Sequence, residues 1–356
     1  MLQRNQGPRS GIYIPSDPEA LSWGWVLGAG AAPVARVQPG GIVTVDTLSH
    51  EGILEDQGRD PTAYFGAFGV PAGDVLTDAV GLAASAAPHD QTRDGPHVIT
   101  GPIWVEGAEP GDVVTVEVLD LAARVPYGVI SNRHRRGALF DEFPEPGDDG
   151  RRPAVVSRFA TADLAAGTAT VRGPDGRGLR LPLRPFLGLV AVAPAGGAAH
   201  SVPPGAHGGN LDVRLLGVGS RLHLPVQVEG ALVQVGDPHF AQGDGEVALT
   251  ALEGSLRAVL RLQLSKDACP SWRAPYGETD DAWLLLGLHE DLNEAVRIAT
   301  RAAIALVSER TGVDRATAYA WLSAAGDLSV SQVVDGVKGV HFAVPKAWLT
   351  TVEDRG

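Results

Sequence analysis

The sequence predicts an α+β chain that is β-rich, with sandwich- or barrel-like strands and a C-terminal helical hairpin. Three observations carry that expectation. The 356 residues include 45 Gly and 26 Pro, spread without a period, so many turns must separate short segments. Through most of the chain apolar residues alternate with polar ones, the period of a strand with one buried face. From about Asp291 the apolar spacing changes to three and four, the period of a helix.

The elements follow in order. RVQPGGIVTVDT (36–47) sets a Pro39-Gly40-Gly41 turn before β-branched residues, with Val43, Val45 and Thr47 on one face and Ile42, Thr44 and Asp46 on the other. Residues 102–121 repeat the device: Val114, Val116 and Val118 alternate with Thr115 and Glu117 after Pro110-Gly111-Asp112. EFPEPGDDGRRP (142–153) reads as a surface loop or linker, and RGPDGRG (172–178) as a hairpin tip. RLHLPVQV (221–228), then EVALTALE and SLRAVLRLQL split near Gly254, reads as a β meander. Leu292, Ala295, Val296, Ala299, Ala302, Ala303, Leu306 and Val307 trace one helical face. Glu290 and Asp291 stand at its start, Arg310 lies in its last turn, and Gly312 follows as the stop. Asp314 caps a second helix that ends before Gly326, and VKGVHFAVP (337–345) returns as a strand.

These elements divide into three regions: 1–150, N-terminal and β-rich; 151–280, β-rich with the polar motifs HGGNLD and HFAQGDGE; and 281–356, helical and packed on the same core. VEGA occurs at 105–108 and 228–231, a hint of duplication that four common letters also produce by chance.

Charge and cysteine content exclude several function classes. The formal charge is −13 with no Lys/Arg-rich block, which argues against nucleic-acid and anionic-membrane partners. The single cysteine, Cys269, excludes an intrachain disulfide framework and a multi-Cys zinc site. Ala20–Ala35 is uncharged, but Asp17 and Glu19 precede it and Gly24, Gly28, Gly30 and Pro33 interrupt it, so it is no signal core. No run reaches the roughly 18 to 20 apolar residues that span a bilayer. The plain expectation is a soluble cytoplasmic protein. GxSxG, HExxH and Walker A motifs are absent from the sequence, and Gly28-Ala29-Gly30 leads to Pro33 rather than to a third glycine.

What remains is a dispersed set of His and carboxylates beside glycine turns. His97 sits in PHVITGP. His207, Asn210 and Asp212 sit in AHGGNLD, and Asp46 and His50 in VDTLSHEG. Asp237, His239, Gln242, Asp244 and Glu246 crowd GDPHFAQGDGEV (236–247). Glycine beside polar side chains lets backbone approach a ligand closely. Each residue also has a plainer reading. Asp237 and Asp244 follow Gly and can cap turns, and His239 can be a packed core histidine. Asp46 belongs either to a solvated edge or to a site. His50, Glu51 and Glu55 read as a solvated loop. His134, in the basic run Arg133–Arg136, reads as loop or as an attractor for a substrate carboxylate. Asn210 and Asp212, two apart, would share a strand face.

At these residues the sequence resembles the acetamidase/formamidase family. The likeness runs through HVITGPIWVEGAEPGDVVTVEVLDL (97–121), RPFLGLVAVAPA (184–195) and HGGNLDVRLLGVGSRLHLPVQVEGALVQVGDPHFAQGDGEV (207–247), and continues to Lys346. Residues 1–96 resemble it more loosely, and LEDQGRDPTAYFGAFGV departs from a shorter loop there. The resemblance implies hydrolysis of small carboxamides to carboxylic acid and ammonia, a β-rich fold and a homo-oligomer. Without a Ser or Cys nucleophile, such an enzyme needs activated water, and a divalent metal lowers the pKa of bound water from about 15.7 to about 7. The expected ligands are His97, Asp212 and His239, with Asp46 as a fourth. Zinc comes first, with calcium, manganese and iron as alternatives. Glu246, Asp244 and Asp237 are the expected catalytic carboxylates, and Gln242, Asn210 and His207 the substrate-binding residues. Two other functions stay open: a related hydrolase of another C–N bond or larger amide, and a non-catalytic small-amide or metal-binding protein.

Overall fold

In the computed structural model, which describes residues 1–87 and 89–349, the alternating segments assemble into two large sheets. One has nine strands. Gly41–Asp46, Leu256–Ser265, Val113–Ala123 and Arg221–Pro225 lie side by side in it, and Ala282–His289, Lys338–Pro345 and Asp327–Gln332 form its far edge. The other has eleven strands around Val233–Ala241. Phe186–Ala191 pairs with one edge of that strand; Val98–Val105 and Leu252–Glu253 share the other. Neither sheet closes into a barrel, so the β-rich expectation resolves to its sandwich form.

One apolar core joins the sheets. Val43, Val45, Val114, Val116 and Leu260 come to it from the first, and Val98, Ile103, Leu187, Val129 and Val233 from the second. Each such side chain contributes roughly 1.5–3 kcal/mol of burial. The opposite face of the nine-stranded sheet carries the helical hairpin, Leu292–Thr311 and Arg315–Ala325. Its ends are those the sequence predicts. Asp291 accepts from the Asn293 N–H, Gly312 takes φ 76°, and Asp314 accepts from the Ala316 and Thr317 N–H groups. Ala295, Ala299, Ala303 and Val307 pack on Leu285, Val340 and Val344. The approach is tight: a Cβ on Gly287 would stand 1.9 Å from the Ala295 carbonyl oxygen.

The meander expected through RLHLPVQV (221–228), EVALTALE and SLRAVLRLQL does not form. Leu252–Glu253 belongs to the eleven-stranded sheet and Leu256–Ser265 to the nine-stranded one, with Gly254 packed under the Phe240 ring between them. The chain changes layers at that glycine. Glu246, expected to begin a strand, sits in a turn at φ 47°.

Candidate active site

Val233–Ala241 supplies the centre of the site. Asp237 and His239 lie two residues apart on it, and both are buried. Asp237 takes φ 51° and the pairing slips after His239, so the strand is locally distorted where it carries these groups. Across the ladder Phe186 opposes His239 and Leu189 opposes Gly236, which sets Gly188 beside Asp237. A Cβ on Gly188 would lie 2.3 Å from Asp237 Oδ2, 2.5 Å from Asp212 Oδ1 and 2.8 Å from His239 Cε1. Only glycine leaves room for three polar side chains to converge there.

Each imidazole is oriented by a second contact. His239 Nδ1 meets Gln242 Oε1 at 3.1 Å, leaving Nε2 to face Asp237 Oδ2 at 2.9 Å and Glu253 Oε1 at 3.2 Å. His97 Nδ1 meets Ser201 Oγ at 2.9 Å, and its Nε2 stands 3.8 Å from Asp237 Oδ1. His50 Nδ1 lies 3.8 Å from the same oxygen, while its Nε2 is 3.3 Å from Glu51 Oε1. Asp212 and Glu246 complete the cluster, and Asp335 beside them accepts from Asn210 Nδ2 at 3.1 Å. Three groups gather donor atoms within 4.8 Å: His50 with His97 and Asp237, Asp237 with His239 and Glu253, and Asp212 with His239 and Glu246. Asp212, Asp237 and Glu246 all adopt left-handed backbone, which costs roughly 1–3 kcal/mol per non-glycine residue and is typical of functional sites.

The buried carboxyls and imidazoles shift one another strongly. Burial, with repulsion from neighbouring carboxylates, pushes Asp212 and Glu246 well above the usual carboxylate range and raises Glu253. The same desolvation raises Asp335 to about 7. Asp237 goes the other way: His239 and His97 outweigh its burial and hold it low. Burial depresses His97 to about 4, whereas Asp237 and Glu253 outweigh burial at His239 and raise it. Among the described residues, Asp237 Oδ1, Glu253 Oε2 and both oxygens of Asp212 lack a hydrogen-bond donor. Buried, unpaired lone pairs of this kind are expensive, and a divalent ion satisfies them with the donor types present. The residues therefore fit a metal. They open onto a cavity of about 560 Å³ lined by His50, His97, Asn210, Asp237, Glu246, Glu253 and Asp335, with residues 91–96 and Arg136 at its outer wall.

Of the residues predicted from sequence, His97, Asn210, Asp212, Asp237, His239 and Glu246 meet here. Four others do not, and each for a visible reason. Asp46 lies in the other sheet, where Arg257 donates to its two oxygens at 2.6 and 2.9 Å and Tyr13 adds a third bond. Asp244 points outward into an ion pair with Arg214. Gln242 spends its amide on His239 and on the Asp212 and Ser331 carbonyls and does not line the cavity. His207 packs over Gly205 and Gly209, away from the cavity lining.

Sequence reading missed His50, Glu253, Asp335 and Gly188. His50 and Glu51 are buried, not solvated, because Ser131 Oγ and Gln57 Nε2 donate to the Glu51 carboxylate and draw the loop inward. Glu253 directly opposes His239 across the ladder, and the one signal for it was a carboxylate within the apolar run ALTALEG.

Residues 89–197 and 188–275 match the model of the acetamidase/formamidase family. The chain belongs to that family. A formamidase of Methylophilus methylotrophus is 30% identical over 217 residues, 48% of this chain and 52% of that protein. An acetamidase of Mycolicibacterium smegmatis is 31% identical over 199 residues, 42% of this chain and 49% of the relative. The chain thus spans about half the length of these curated relatives. The crystal structure of an acetamidase from Bacillus halodurans shares the fold nearly throughout, with a TM-score of 0.75, 26% identity, and 95% and 98% of the two chains covered. His97, Asp212, Asp237, His239, Glu246 and Glu253 fall inside the family match; His50 and Asp335 fall outside it.

Proposed function

We propose that this chain hydrolyses carboxamides to carboxylic acid and ammonia, using water activated at a divalent metal. The observation that carries the proposal is the convergence of His50, His97 and buried carboxylates on one cavity, with His239 against Asp237 and Glu253, in a family whose relatives include a formamidase and an acetamidase.

An amide resists attack because resonance stabilises it and its nitrogen leaves poorly. The chain must therefore supply a nucleophile and a proton. An ion would be held by Asp237 with His50 and His97, or by Asp237 with His239 and Glu253; the donors suit zinc first, then manganese, iron or calcium. Bound there, the ion would acidify water toward a pKa of about 7 and polarise a carbonyl. Gln242 and Ser201 hold the rings of His239 and His97 so that Nε2 points inward. Glu246 and Asp335 line the cavity with carboxyls shifted upward, suited to accept a proton from water and return it to the nitrogen as the C–N bond breaks. The water oxygen ends on the acyl carbon and its proton on ammonia. Cys269 lies outside the cavity lining, consistent with a route that needs no thiol nucleophile. A cytoplasmic homo-oligomer acting on a small amide is part of the same proposal, on family resemblance alone.

Ammonia release from formamide, acetamide, propionamide and longer amides, before and after chelation, tests the reading. Release that is abolished by chelator and restored by zinc is expected. Release from none of them with metal still bound would favour the non-catalytic binder, and release untouched by chelator would remove the metal from the mechanism.

A further inference from the structure

The cavity is far larger than formamide or acetamide requires. At about 560 Å³ it falls within the roughly 300–1,000 Å³ typical of pockets for drug-sized molecules, whereas these amides have three or four heavy atoms. Its polarity is also uneven. The buried cluster and three arginines, Arg93, Arg133 and Arg136, share its lining. Two of them are neutralised: Arg93 by Asp94 at 2.9 Å, and Arg133 by Asp56 at 2.6 Å and Glu51 at 3.4 Å. Arg136 is different. It is exposed on the turn after Tyr127–Arg133, and among the described residues its guanidinium has no carboxylate partner and no hydrogen bond. Its charge nonetheless reaches the wall, where burial pushes His200 down and Arg136 adds to that effect. On a chain of net charge −13, nothing in the overall field would draw an anion to this mouth. An exposed guanidinium on the cavity lining is a local exception, and its planar fork suits a carboxylate.

We infer that the substrate is an amide bearing a carboxylate at its far end, which Arg136 binds at the mouth while the carboxamide meets the buried cluster. This rests on the hydrolase reading above and narrows its substrate class. Within the basic run 133–136 it gives a role to Arg136 alone.

The test compares ammonia release from succinamate, the monoamide of a four-carbon diacid, with release from butyramide, its neutral counterpart of equal chain length. The wild type should favour succinamate by about tenfold or more in kcat/KM, mostly through KM, as one charge-assisted contact provides. Arg136→Gln should collapse that ratio to about one, and Arg136→Glu should invert it. A wild-type ratio near one, or a ratio unmoved by both substitutions, would overturn the inference. If neither amide is turned over, calorimetric binding of the same two compounds decides. Succinamate binding that is lost in Arg136→Gln would support the inference while the hydrolase reading fails; equal or absent binding would overturn it.

Discussion

Gly188 and Glu246 show how single residues set this site. The atoms that a Gly188 Cβ would strike are a carboxylate from Asp237, one from Asp212 and the His239 ring, all among the candidate metal donors. Gly188→Ala should therefore leave a folded protein, at a cost of about 1–3 kcal/mol for overpacking. Because a displacement near 1 Å at reacting groups costs about 10²-fold in rate, ammonia release should fall by roughly that factor. A thermal melt beside the assay separates the two effects. Glu246→Gln keeps the shape and removes the transferable proton, so kcat should drop about 10²–10⁴-fold with little change in KM. An unchanged kcat would shift the proton-handling role to Asp335. Gly188 was the hardest of these to read in the sequence, because FLGLVAV looks like an ordinary apolar strand and the reason for its glycine lies in another strand.

At the scale of elements, legibility follows how local the determinants are. The helical hairpin was readable to within a residue because Asp291, Gly312 and Asp314 act on backbone one to three positions away. Strand register was not readable. EVALTALE alternates acceptably, yet Glu246 turns inward at φ 47° and the following segment crosses between sheets. The loop carrying His50 is illegible for a related reason: His50 and Glu51 look solvated until Ser131 and Arg133, far along the chain, provide partners for Glu51. Buried polar groups inside elements also make stability depend on pH. His223 in Arg221–Pro225 meets Thr115 Oγ1 through Nδ1, stacks on Tyr276, and is pushed down to about 4 by burial. Above its ordinary value of 6.5 both folded and unfolded chains hold it neutral, and it has no effect. As pH falls from 6.5 toward 4 the unfolded chain gains a proton that the folded one refuses, so stability falls, by an amount on the order of 3 kcal/mol. Denaturation at pH 7 and pH 5 should show a smaller loss for His223→Gln than for the wild type.

At the scale of the whole molecule, groups that lie far apart in sequence come together. Residues 50, 97, 212, 237, 239, 246, 253 and 335 meet because the distorted strand Val233–Ala241, its neighbour Leu252–Glu253 and the segments carrying the other groups converge there. The sequence supplied most of the residue types, and glycine-rich surroundings marked many of them, but it did not rank Asp46 below Glu253. That ranking depends on Arg257, which claims Asp46 in the other sheet. So many buried donors also tie metal to stability. An ion at 100 times its dissociation constant stabilises the state that binds it by about 2.7 kcal/mol, so chelation should lower the melting temperature as well as the activity. Asp237 offers the most direct test, because it joins two of the three donor groups. Elemental analysis of the purified wild type beside Asp237→Ala, with ammonia release measured on both, should find divalent metal in whole-number stoichiometry in the first and both metal and activity lost in the second. A wild type that carries no metal and still releases ammonia from acetamide at full rate would contradict the account.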